Sequence, residues 1–199
     1  PVLSRGLGDV YKRQPLFHCN GWGHAWTMTA LAGKIVCCRQ VSAMAIYDAI
    51  NTQKVTHLGG APIILGMIIN AESSDRKEFS HTVEIMTAGA PPPAAILEGI
   101  EKLGFNVTHV YGLTETYGHA VMCFWQDQWD DTDFTQRAII KARQGVAMTA
   151  TESTRVVDLN TREDVPKDGK TIGEIVLQGN TIMKGYLKNK EATAEAFEG

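Results

Sequence analysis

From Pro15 onward, short runs of β-forming apolar residues alternate with longer runs of helical period, and this order constrains the fold more than any other feature. A strand, a helix and a second strand in series close most readily as a parallel crossover unit. The repeated pattern therefore predicts a mostly parallel sheet with covering helices. Residues 23–32 read as a helix carrying Trp26, Met28 and Leu31, stopped by Gly33. Residues 34–38 form a continuous apolar run, as in a strand buried on both faces. Ser42 has the chemistry of an N-cap for a helix over 43–52, with Met44, Ile46, Tyr47 and Ile50 inward. A strand at 55–58, a turn at 59–62, a helix at 63–71 and a strand at 83–88 follow. The prolines 91–93 then open a helix over 94–103, and residues 105–110 read as the next strand.

Past Tyr117 the pattern changes. Asp131-Thr132-Asp133 reads as the start of an amphipathic helix to about Arg143, stopped by Gly145. Short strands at 153–159 and 173–177 flank turn chemistry at Lys167-Asp168-Gly169-Lys170, which points to antiparallel β. The expected domains are thus an α/β subdomain over 15–120 and a helix plus a partial β-rich subdomain over 121–199. Residues 1–14 resemble the translation of a sequencing-library adapter and are set aside as a scar.

Charge and cysteine usage narrow the function classes. A formal net charge of −3 supplies no basic field for nucleic acid or an anionic membrane. No apolar run approaches the ~20 residues of a spanning helix. Cys19, Cys37, Cys38 and Cys123 lack C-x-x-C or metal-ligand spacing, and the adjacent Cys37 and Cys38 read as small buried hydrophobes. The expected compartment is the reducing cytoplasm. His24, His57, His81 and His109 show no ligand spacing, and the acidic residues 127–133 read as a solvated helix start.

Tyr111-Gly112-Leu113-Thr114-Glu115-Thr116 gathers an aromatic ring, a bare backbone, a hydroxyl and a carboxylate just beyond a strand. Tyr111 can stack on a purine, Gly112 can admit a ligand to the backbone, and Thr114 can donate to a phosphate oxygen. Glu115 is a hard oxygen ligand of the kind Mg²⁺ takes beside phosphates. An ordinary strand-to-helix turn with a Thr-Glu start fits the same six residues equally well. Thr87-Ala88-Gly89-Ala90-Pro91 ends another strand in small residues, which suits either a flat ring or a tight turn. Pro15-Leu16-Phe17-His18-Cys19-Asn20-Gly21-Trp22 precedes a helix, with a buried histidine and a core tryptophan as the plain alternative.

In combination these stretches, with Gly173-Glu174-Ile175-Val176-Leu177-Gln178-Gly179 and Met183-Lys184-Gly185-Tyr186, resemble the adenylate-forming superfamily of acyl-CoA synthetases, adenylation domains and luciferases. The 15–22 run, Phe124-Trp125-Gln126-Asp127 and Lys141-Ala142-Arg143-Gln144-Gly145 resemble bacterial fatty- and short-chain acyl-CoA ligases, including the methylmercaptopropionyl-CoA ligase branch. The resemblance implies an incomplete domain whose β-rich part belongs to a distorted barrel. It implies that a carboxylate and ATP give an acyl-adenylate and pyrophosphate, after which CoA displaces AMP.

By the same resemblance Thr114 and Glu115 are catalytic, and Glu115 holds Mg²⁺. Gly89, Ala90, Pro91, His109, Val110, Tyr111, Gly112 and Thr114 bind ATP or AMP. His18, Trp22, Gly89, Tyr117 and Gly118 line the acyl pocket, where the bulk of Trp22 implies a short or medium chain. The expected partners are a small carboxylate, ATP and CoA, without nucleic acid or a transmembrane segment, and with homo-oligomerisation left open. The family's phosphate loop, ribose-binding aspartate and C-terminal lid have no counterpart here. The chain therefore reads as the central, inactive fragment of an ATP-dependent ligase. Its rivals are an adenylation domain loading a carrier protein and a nucleotide-binding module without catalysis.

Overall fold

The computed structural model describes residues 2–3, 23–38 and 40–198. Eight strands and six helices follow in chain order: β1 (Val2–Leu3), α1 (His24–Ala30), α2 (Ala43–Gln53), β2 (His57–Gly60), α3 (Pro62–Ile69), β3 (Val83–Thr87), α4 (Ala94–Lys102), β4 (Phe105–Leu113), β5 (Gly118–Met122), α5 (Phe134–Lys141), β6 (Val146–Ala147), β7 (Thr151–Val157), β8 (Glu174–Gly179) and α6 (Lys190–Ala196). Strands β1 to β6 form one sheet in sequence order. The first four are parallel, and β5 and β6 add antiparallel to β4. The expected α/β architecture, mostly parallel and helix-covered, is what the chain adopts.

Local chemistry sets the helices. The Ala45 N–H donates to Ser42 Oγ at 3.1 Å, so Ser42 caps α2 as expected. Pro62 occupies the first turn of α3, and Pro93 stands at the N-cap of α4. Asp133 caps α5 by accepting from the Gln136 N–H at 2.8 Å. Helices α2, α3, α4 and α5 pack side by side over the strands. Ile46 and Ile50 of α2, Leu65 and Ile68 of α3, and Leu97 and Ile100 of α4 meet Val83, Ile85, Phe105 and Val107 in one core. Burying each such side chain stabilises the fold by about 1.5–3 kcal/mol. Lys141 of α5 and Glu101 of α4 form an ion pair inside this layer, both nearly inaccessible, and Lys141 Nζ also donates to Asn106 Oδ1 at 2.6 Å.

Several expectations fail for identifiable reasons. Residues 34–38 form only an isolated bridge at Ile35, and Cys37 is exposed rather than buried. An apolar run becomes a strand only where a ladder edge is open to it. Here β2 already pairs with β1 on one side and β3 on the other. Gly59 and Gly60 lie in β2, not in a turn. A Cβ on Gly60 would press on the Ile64 side chain at 3.1–3.3 Å, so the glycine marks the close approach of α3. Met44 is exposed, while Ile46, Tyr47 and Ile50 face inward.

Val2 and Leu3, inside the segment set aside, pair with His57 and Leu58. The β-rich part is an antiparallel pair, β7 and β8, with no closed barrel among the described residues.

Candidate active site

The 111–116 run sits where the sheet changes character. Strand β4 follows β3 in parallel register as far as Thr87 opposite His109. Beyond that point β4 continues through Tyr111, Gly112 and Leu113 and folds back antiparallel into β5, with a register shift between Tyr111 and Gly112. The run is thus a hairpin reversal, neither a strand-to-helix turn nor a free strand end. Thr114–Thr116 make a single 3₁₀ turn, after which Tyr117 (φ 59°) and Gly118 (φ 107°) reverse the chain through left-handed backbone.

Thr116 pins this reversal. The Leu113 N–H donates to its Oγ1 at 2.9 Å, and its hydroxyl lies 2.8 Å from the Gly118 carbonyl oxygen. It is buried, so the turn is held from inside while Thr114 and Tyr117 point outward. Gly112 meets a steric demand of the fold: a Cβ there would collide with the Gly118 carbonyl. The missing side chain makes room for the hairpin's own backbone.

Gly89 (φ 90°), Ala90 and Pro91 lie exposed in the loop leaving β3. Because Thr87 is opposite His109, this loop and Tyr111 share one edge of the sheet. Open α/β sheets bind ligands at the carboxyl ends of parallel strands, which is this edge.

His109 and Val110 belong to the core. Val110 packs with Ala88 and Met122. His109 is 2% exposed, and its Nδ1 lies 3.0 Å from the Arg143 carbonyl oxygen. Burial pushes its pKa down against the opposing effect of nearby backbone groups. Its own carbonyl accepts from the Cys123 N–H at 2.9 Å. Its side chain and its carbonyl are thus both engaged within the protein. Val110 is buried in the same way. His18 and Trp22 lie outside the described residues.

Glu115 is half-buried and doubly tied to the segment after β8. Its carbonyl accepts from the Met183 N–H at 2.7 Å, and its Oε1 accepts from the Tyr186 hydroxyl at 2.9 Å. The carboxylate beside it pushes the Tyr186 pKa up, through that hydrogen bond first. Tyr186 was missed as a site residue. The signal available was its fixed place at the end of the Met183-Lys184-Gly185-Tyr186 motif.

Glu115 Oε2 has no partner among the described residues, and no group of three histidines, cysteines or acids there could enclose a metal. One hard carboxylate at an open edge fits Mg²⁺, which keeps waters and takes phosphate oxygens for its other ligands. It does not fit a metal needing a full protein cage.

The histidines are less scattered than their spacing suggested. His24 falls within electrostatic range of both His57 and His119. Burial first, and the charge of His24 second, hold His119 down at about 4. Cys123 is buried, as expected. Asp130 accepts from the Trp125 indole N–H at 2.7 Å and Asp133 caps α5, so the acidic cluster is local structure.

A model of the family described as AMP-binding enzyme matches residues 6–187. The chain is 48% identical over 186 residues to a peroxisomal acetate/butyrate–CoA ligase of Arabidopsis thaliana, covering 93% of this chain and 33% of that protein. It is 47% identical to an acetate–CoA ligase of Humulus lupulus, covering 92% and 32%. It thus spans about a third of the length of the curated relatives it matches. The o-succinylbenzoate CoA synthetase of Bacillus subtilis, solved with ATP and magnesium ion, shares the fold at a TM-score of 0.72 and 21% identity, covering 98% of this chain and 36% of that one. No described helix is long and apolar enough to cross a membrane. With nearly the whole chain matched by one family model, the protein belongs to the AMP-binding enzyme family.

Proposed function

We propose that the protein carrying this chain is an ATP-dependent acyl-CoA synthetase acting on short carboxylates. The observation that carries the reading is Glu115, a carboxylate at the edge of the sheet where parallel strands end, with one oxygen unengaged among the described residues. Two relatives named as acetate or acetate/butyrate ligases support the substrate class, as does the bulk of Trp22. In the first half-reaction a carboxylate oxygen attacks the α-phosphorus of ATP, and the bond to pyrophosphate breaks. In the second, the CoA thiolate attacks the acyl carbon and AMP leaves.

On this reading Tyr111 stacks on adenine, Thr114 donates to the α-phosphate, and the loop at Gly89, Ala90 and Pro91 walls the nucleotide and acyl sites. Tyr117 and Gly118 close the far side. Magnesium held by Glu115 would offset the negative charge that builds on the phosphoryl oxygens. The phosphate loop and lid belong to the remaining length of the enzyme, so residues 15–199 supply the base, α-phosphate and metal contacts. The thiols of Cys37 and Cys123 suit a reducing compartment, by our reading the cytoplasm. Four relatives are named as peroxisomal.

The test is carboxylate-dependent ATP–pyrophosphate exchange and CoA-thioester formation by the intact protein, over acids from acetate to palmitate. Exchange is expected to peak among the short acids. A steady rise to palmitate would overturn the short-chain assignment. Exchange without a CoA thioester, but with loading of a carrier protein, would replace the ligase reading by an adenylation domain. Glu115→Ala is expected to leave carboxylate binding nearly unchanged and to slow exchange by about 10²–10³-fold. Wild-type exchange in that variant would refute the metal role.

A further inference from the structure

We propose that Tyr186 is a positioning residue for Glu115, its hydroxyl holding Oε1 so that Oε2 is the oxygen presented to magnesium. The inference rests on the reading of Glu115 as the metal ligand and deepens it. A glutamate side chain has three rotatable bonds and two equivalent oxygens, so an untethered carboxylate offers many poses to an incoming ion. Here the pose is fixed twice from the same short segment. The Tyr186 hydroxyl donates to Oε1 at 2.9 Å, and the Met183 N–H donates to the Glu115 carbonyl at 2.7 Å.

That segment is itself anchored. The Tyr186 N–H donates to Thr193 Oγ1 at 2.9 Å, and Thr193 lies on α6, whose first turn is capped by Asn189. A path of hydrogen bonds therefore runs from α6 through Thr193 and Tyr186 to the carboxylate. The residues joined are 71 apart in sequence, so the contact is a product of the fold and not of local chain geometry. A neutral hydroxyl donor suits the task, because a lysine or arginine there would neutralise the carboxylate and compete with the cation. Groups that orient a metal-binding carboxylate typically alter metal affinity by about 10–100-fold when removed.

The experiment measures Mn²⁺ binding in the presence of ATP by electron paramagnetic resonance, on the intact protein and its Y186F, E115Q and Y186F/E115Q variants. Y186F is expected to weaken Mn²⁺ binding by about tenfold and to have no effect in the E115Q background, where there is no carboxylate to position. Thr193→Val, which removes the acceptor for the Tyr186 N–H, is expected to weaken binding less than Y186F does. Equal losses from Y186F in both backgrounds would assign Tyr186 a merely structural role and overturn the proposal. So would wild-type affinity in Y186F, or wild-type affinity in E115Q. If the Glu115–Tyr186 coupling is found in a protein without pyrophosphate exchange, the ligase reading fails while the positioning role holds.

Discussion

The helix-covered sheet and the β7–β8 pair are built in opposite ways, though each contributes to one site. In the sheet, Ile46, Ile50, Leu65, Ile68, Leu97 and Ile100 are fully buried, and four helices share one core with the strands. In the pair, Val157 is the one buried apolar side chain, while Val156 and Ile175 are exposed and Ile172 is 92% exposed. The first region is held by apolar area. The second is held by its own ladder and by hydrogen bonds such as those from Met183 and Tyr186 to Glu115. A packed scaffold can place Tyr111 and Thr114 firmly, and a lightly attached segment can trim the orientation of Glu115.

The sharpest way to break this comparison is inside the scaffold. Lys141 and Glu101 are each about 5% exposed, so replacing one leaves the other charged and unpaired in the core. Lys141→Met is expected to cost about 3–5 kcal/mol, and the double change Lys141→Met with Glu101→Leu to recover most of it. Urea melts of the three forms would decide this. A Lys141→Met protein as stable as the parent would mean that the pair is solvated and the scaffold less closed than described.

Truncation compares the regions directly. Leu97→Ala removes a fully buried side chain and is expected to cost about 2–5 kcal/mol. Ile175→Ala, on a half-exposed strand, is expected to cost less than about 1 kcal/mol. Equal losses in thermal unfolding would show that β8 is covered by other parts of the intact protein and that the contrast belongs to this chain alone.

The same contrast explains what could be read from the sequence. Segments whose partners are helices or parallel strands carry strong periodicity, and α2, α4, β3 and β4 lie close to where the pattern puts them. Ser42 and Asp133 cap as their chemistry predicts. The pattern failed where structure depends on a partner that local sequence cannot name. The 34–38 run had the composition of a strand, yet only Ile35 forms a bridge and β2 is already paired on both sides. Gly60 looked like part of a turn, while it lies in β2 and admits Ile64 of α3, and Gly112 admits the Gly118 backbone. The candidate site was legible only as a set of residues in the 111–116 run. Its geometry was not, because the hairpin depends on Thr116 and Gly118, and the fix on Glu115 comes from Tyr186 far along the chain.

A pH-dependent effect tests the junction between the antiparallel edge and α1. His119 of β5 has its pKa held down at about 4, by burial first and by the positive charge of His24 second, and burial lowers His24 as well. The unfolded chain takes up these protons near the ordinary histidine value of about 6.5, and the folded chain takes up the one on His119 only near 4. Between those values the unfolded state binds more protons, so stability is full above about 6.5 and falls as the pH drops towards 4. The loss assigned to His119 is on the order of 2 kcal/mol. Thermal melts from pH 7 to 5 should show this decline before most carboxylates titrate, and His119→Gln should flatten it. An unchanged slope in that variant would mean that His119 is solvated when folded, leaving His109 and His24 to account for the acid sensitivity. The edge beside Gly112 would then be open to water, and the division between a closed scaffold and an open, lightly held segment would have to be redrawn through β5.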